Sequence, residues 1–144
     1  MNTAIAQILS RVPHKSPFRF VENIQEVSDD HIIGRCFLDA SSFFYQGHFP
    51  DNPITPGFII TEVMAQTGIL ALGLYLLRDN IDGIKNAFLT TTEVKFHNVS
   101  YPNDTIVVDS RKLYFRFSKL KCDIKAFNQN GDLLCSGLFS GVIR

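Results

Sequence analysis

Gly47-His48-Phe49-Pro50-Asp51-Asn52-Pro53-Ile54-Thr55-Pro56-Gly57, continued without a break by Phe58-Ile59-Ile60-Thr61-Glu62-Val63-Met64-Ala65-Gln66, is the stretch that organises the rest of the chain. Pro50, Pro53 and Pro56 lock φ through its first half and make a stiff loop. Gly57 then opens an apolar run that extends to residue 77, the only one long enough for an extended buried helix. Such a run approaches the roughly 20 residues of a membrane span. It carries Thr61, Glu62, Gln66 and Thr67 in its first half, however, and so reads as a helix buried in protein. A helix that is apolar almost all round needs cover on most sides.

The flanking sequence supplies that cover. Before the loop, Ala4, Ile5, Ile8 and Leu9 follow helical spacing up to Val12-Pro13, which predicts a short opening helix. Residues 18–27 and 31–40, parted by Ser28-Asp29-Asp30, are rich in β-branched and aromatic side chains and predict two strands joined by a turn. The long helix should end near residues 78–83, where Asp79-Asn80 and Asp82-Gly83 supply turn chemistry. From Asn86 the pattern has period two, clearest where Leu120, Cys122, Ile124 and Ala126 alternate with Lys119, Lys121, Asp123 and Lys125. Asn130-Gly131 between two strand-like runs signals a hairpin, and residues 133–143 make the last strand. Pattern alone therefore reaches an α+β class, with strands packed on one long helix.

Composition narrows the function. The 144 residues are 45% hydrophobic, enough for one core, and are expected to form a single domain over residues 1–144. Fourteen basic and fourteen acidic residues cancel, which argues against a nucleic-acid binder and favours association. Cys36, Cys122 and Cys135 are odd in number and lack a C-x-x-C pattern, arguing against a disulfide framework or a zinc site and for a reducing, cytoplasmic setting. The N-terminus lacks the features of a secretory signal. No metal, cofactor or membrane is expected.

The central stretch carries candidate chemistry. His48 is held in the stiff loop. The first N–H groups of the helix after it have no intrahelical partner, so Gly57 N–H, backed by the helix dipole, can receive negative charge developing on a carbonyl oxygen. Glu62, flanked by Ile59, Ile60, Val63 and Met64, sits where ionisation should be disfavoured, leaving a carboxyl able to donate a proton. Gln66, four residues on, shares its helical face and can orient Glu62 or a water. Imidazole, carboxyl and backbone N–H are the minimum set for removing a proton next to a carbonyl and expelling a β-hydroxyl. A lone histidine in a proline-rich loop is more often structural, and an acid near a helix start is favoured by the dipole alone. Only their joint spacing lifts them above that. His14 reads as a structural residue bonded to backbone, and His31 and His97 as strand residues with no role.

These residues resemble those of the FabA/FabZ 3-hydroxyacyl-acyl-carrier-protein dehydratases. The matching positions are Pro13-His14, Pro17-Phe18, Phe44-Tyr45-Gln46-Gly47-His48-Phe49-Pro50, Pro53, Pro56-Gly57, Glu62 and Met64-Ala65-Gln66, covering the order of elements along the whole chain. The resemblance implies a hotdog fold, a curved antiparallel sheet wrapped around one long helix. It also implies at least a homodimer, with histidine and acid contributed by opposite subunits across an acyl tunnel and higher assemblies of dimers left open. His48 is then the base and Glu62 the acid, while Gly57, Phe58 and Gln66 are substrate-binding. Glu rather than Asp at position 62 points to the FabZ branch. Ser41-Ser42-Phe43 replaces a common Asn-Glu-Pro, and Phe58 replaces a smaller aliphatic. Both departures bear on acyl-chain preference, so a dedicated polyene, pigment or polyketide-like pathway stands beside primary fatty-acid synthesis.

Two rival functions use the same fold: a hotdog thioesterase with Glu62 activating water, and a non-catalytic acyl-binding subunit. Arg111, Lys112, Arg116, Lys119, Lys121 and Lys125 gather in one region with only Asp123 as an acid between them. A solvated strand face is the plain reading. The alternative is that part of this patch, with Arg78 or Lys85, steers an acidic carrier protein.

Overall fold

The computed structural model describes residues 3–144. Helix α1 spans Thr3–Arg11. Strands β1 (Asn23–Val27) and β2 (His31–Phe37) follow, then the proline loop and helix α2 (Gly57–Leu76). A 3-10 turn, Arg78–Gly83, closes that helix. The chain finishes with β3 (Ala87–Phe96), β4 (Thr105–Arg116), β5 (Lys119–Phe127) and β6 (Leu133–Ile143). The six strands form one antiparallel sheet in the order β1-β2-β4-β5-β6-β3, so β1 and β3 are its edges.

Period-two alternation explains which strand faces meet α2. Leu120, Cys122, Ile124 and Ala126 are fully buried, while the residues between them are not. They pack with Ile32, Ile106, Val108, Leu134 and Phe139 of neighbouring strands against Ile59, Ile60, Val63, Met64 and Leu72 of the helix. Each such aliphatic side chain contributes about 1.5–3 kcal/mol on burial. Although α2 is long and apolar enough to cross a bilayer, most of it is wrapped by the sheet. Its middle, Gln66–Ala71, has π-helical hydrogen bonding, and there Ser110 of β4 donates to the Gly68 carbonyl at 2.9 Å. Irregular segments of this kind concentrate at functional sites. Burial pushes the thiols of Cys122 and Cys135 up to about 11, as fits packing residues.

Three local expectations need correction. Residues 18–22 are not strand, because Phe18 C=O and Phe20 N–H bond the side-chain amide of Gln66 and are not free for a ladder. Strand β2 likewise stops at Phe37, after which Leu38 N–H bonds Asp104 C=O. The β5–β6 hairpin exists, but its loop runs over residues 128–132, since Asn128 Oδ1 accepts the N–H groups of Asn130 and Asp132. Gly131 takes the left-handed position there, with φ +85°. An unflagged turn joins β4 to β5: Phe117 and Ser118 both have positive φ, and Phe117 is 98% exposed.

Candidate active site

The proline loop fixes the chemistry of His48. Its Nδ1 lies 3.2 Å from Ile54 C=O, and Ile54 N–H returns a bond to His48 C=O at 2.9 Å. A carbonyl only accepts, so in the neutral ring Nδ1 carries the proton and Nε2 the lone pair. The ring is stacked on Phe49, and the loop is anchored to the sheet side by Thr55, whose N–H bonds Ser100 C=O. Tyr45 and Thr55 hydroxyls share a buried hydrogen bond of 2.6 Å, which extends to Ser100 and Asp104.

Glu62 is oriented by Gln66. The Gln66 amide cannot be reversed, because its Oε1 accepts Phe20 N–H at 2.8 Å. Its Nε2 therefore donates to Phe18 C=O at 3.1 Å and to Glu62 Oε2 at 2.7 Å. The i to i+4 spacing legible in the sequence becomes a direct contact, and the expected orienting role of Gln66 corresponds to this bond. Glu62 lines a cavity of about 230 Å³ with His14, Gln66, Ile69, Leu70, Phe88 and Ile143 among its walls.

A Cβ on Gly57 would stand 2.9 Å from Phe96 of β3, so the absence of a side chain serves close approach of helix and strand within the chain. Ile59 and Ile60 N–H both reach Pro56 C=O, while no bond is recorded for Gly57 and Phe58 N–H among the described residues. Phe58 is 66% exposed at this helix start. His48 is not among the residues lining the Glu62 cavity, so within one chain the two candidate groups face different spaces.

Sequence reasoning missed the β3 wall of the cavity and the place of His14. Phe88 and Leu89 lie far from Glu62 in the chain, and nothing local marks them. Among the described residues His14 is not bonded to backbone: its Nδ1 is buried without a partner and its Nε2 lies 3.8 Å from Glu62 Oε2. The proline beside it in the matched Pro13-His14 pair was the available signal. His31 and His97, by contrast, bond Ser28 and Ser136 near the surface. Among the described residues, no three or more His, Cys, Asp or Glu side chains gather in a metal-holding group.

Comparison with known proteins bears on this arrangement. The 3-hydroxyacyl-[acyl-carrier-protein] dehydratase FabZ of Caldicellulosiruptor bescii is 34% identical over 134 residues, 92% of this chain and 93% of that one. The FabZ of Caulobacter vibrioides is 35% identical over 118 residues, 81% and 74% of the two chains. Among solved structures, the dehydratase heterocomplex ApeI:P of Xenorhabdus doucetiae aligns with a TM-score of 0.78 at 16% identity, over 95% of this chain and 90% of that one. A hypothetical thioesterase of Streptococcus pneumoniae with coenzyme A aligns at 0.67 and 15% identity, over 97% and 96%. At such identities these superpositions speak for the hotdog fold alone. The FabA-like domain family matches residues 12–129, and the chain is 34–35% identical to FabZ proteins over most of its length, so this protein belongs to that family on its FabZ branch.

Proposed function

We propose that this protein is a 3-hydroxyacyl-[acyl-carrier-protein] dehydratase of fatty-acid or related acyl-chain biosynthesis, its residues 1–144 forming one catalytic domain. The observation that carries the reading is the pair of hydrogen-bond assignments: His48 presents a lone pair on Nε2, and Glu62 is held by Gln66 in the wall of a largely apolar cavity. His48 Nε2 takes the proton next to the thioester carbonyl. Negative charge gathers on the thioester oxygen and is met by the N–H groups at the start of α2, chiefly Gly57; losing one such donor typically costs about 3 kcal/mol. Glu62 delivers its proton to the 3-hydroxyl, which departs as water and leaves a trans-2-enoyl thioester. The carboxylate and the imidazolium then regain their starting forms by proton exchange with solvent. No metal or cofactor is called upon.

The two groups act together only if a second copy of the chain brings its His48 to this Glu62. Strand β3 supports that assembly: it is an edge strand, and Phe88, Leu89 and Phe96 are each 41–51% exposed. The acyl group arrives on an acidic carrier protein. Arg116 and Lys119 are directly paired across the β4–β5 hairpin, a like-charge arrangement relieved by an anionic partner. A cytoplasmic location accords with three buried free thiols.

The test is to follow enoyl absorbance and thiol release on a 3-hydroxyacyl thioester. Wild type should raise absorbance without releasing thiol, which a thioesterase would do. His48→Ala and Glu62→Gln should each lose about 10²- to 10⁴-fold in turnover. Near-native turnover in either variant overturns the assignment. Charge reversal at Arg116 and Lys119 should weaken the apparent affinity for carrier-linked substrate and leave short soluble thioesters unaffected.

A further inference from the structure

The segment carrying His14 is tied down on both sides. Arg19 donates to Leu9 C=O at 2.8 Å and to Val12 and Val21 C=O at 3.3 Å, which also caps the end of α1. Phe18 N–H closes a turn on Lys15 C=O at 2.8 Å. His14 is thereby held against the acid, its Nε2 3.8 Å from Glu62 Oε2 and its Nδ1 buried with no partner among the described residues. A ring with hydrogen on Nδ1 would bury a donor that meets no acceptor. A ring with hydrogen on Nε2 alone leaves only a bare acceptor there, the less costly of the two orphans. The Nε2–H therefore points toward Glu62.

Two donors now converge on the same carboxyl oxygen. Gln66 Nε2 bonds Oε2 at 2.7 Å, and His14 Nε2 stands 3.8 Å from the same oxygen. Oε1 accepts no bond from the described residues. An oxygen approached by two N–H groups is the poorer seat for the carboxyl proton, which is therefore placed on Oε1.

We propose that His14 is a positioning residue for Glu62, which with Gln66 keeps Oε2 occupied and so directs the transferable proton on Oε1 to the substrate hydroxyl. This deepens the dehydratase reading and rests on it. The 3.8 Å separation exceeds a hydrogen bond and closes when substrate fills the cavity, as catalytic contacts commonly tighten in the bound complex.

Steady-state kinetics on a 3-hydroxyacyl thioester tests this with His14→Leu, His14→Gln, His14→Asn, Glu62→Gln and the His14→Leu/Glu62→Gln double variant. His14→Leu should lower kcat about tenfold with KM unchanged, the size expected for one hydrogen bond. His14→Gln, whose amide reaches the same point, should recover most of that rate. In the Glu62→Gln background, His14→Leu should cost nothing further, because the residue acts through Glu62. Native kcat in His14→Leu, or an equal loss in both backgrounds, overturns the proposal. If His14→Leu melts early, His14→Gln against the shorter His14→Asn decides, and equal rates for those two overturn it. Wild type inactive on every 3-hydroxyacyl thioester sinks the dehydratase reading and the role of His14 with it. An active wild type with an indifferent His14→Leu sinks only the latter.

Discussion

Strand β1 closes one edge of the sheet with five residues, Asn23–Val27, carrying Gln25 and Glu26 outward and interrupted by a bulge between Ile24 and Glu26. Strand β3 closes the other edge with ten, Ala87–Phe96, nearly all exposed, including Phe88, Leu89 and Phe96. Short length, charge and a bulge are the devices that keep an edge from pairing with another chain. The β3 edge lacks the first of these; it has a bulge of its own between Leu89 and Thr91 and the charges Glu93 and Lys95, but Phe88, Leu89 and Phe96 stay exposed along it. The same strand walls the Glu62 cavity through Phe88 and Leu89. One edge is finished, whereas the other is left open and also walls the cavity beside Glu62.

The largest expected effect comes from closing the open edge to a second copy. A two-fold axis sets each introduced charge near its own copy, so Thr91→Glu with Thr92→Glu should halve the solution mass. Turnover should fall with it by about 10²-fold or more, since each site would lack its histidine. Analytical ultracentrifugation beside the enoyl assay checks both; a native mass would break the comparison.

The proposed sharing of sites between subunits has a sharper consequence. Inactive His48→Ala and Glu62→Gln chains, unfolded and refolded together, should regain about a quarter of wild-type turnover, because half the dimers are mixed and one of their two sites is intact. No recovery would place both groups in one subunit. Smaller again is the contrast between two amides. Gln66→Ala should lower kcat about tenfold by freeing Glu62, whereas Gln25→Ala on β1, which loses a 3.0 Å surface bond from Arg35, should leave kcat unchanged. The smallest effect is for Gln25→Glu, expected to move stability by no more than about 0.5 kcal/mol and the mass not at all. Denaturant melts and sedimentation would show otherwise.

Much of the site was legible because its parts are local. The loop prolines, His48, Gly57, Glu62 and Gln66 fall within one stretch, and the Glu62–Gln66 bond follows from helical geometry. Residues 18–22 misled because their aromatic content reads as strand, whereas a buried amide from the helix takes their backbone groups. His14 was undervalued for the same reason: its meeting with Glu62 depends on how Arg19 folds the segment back over α2.

What the sequence determined by itself is whatever repeats over a few residues: the alternation of β5, the apolar length of α2, the stiffness of the loop and the acid–amide pair on one helical face. What only the tertiary structure decided is which strand is left at an edge and which distant side chains wall the acid. Periodicity tells a residue which way to face. The order β1-β2-β4-β5-β6-β3 tells it what it faces, and that order arises from long-range pairing that no local pattern encodes.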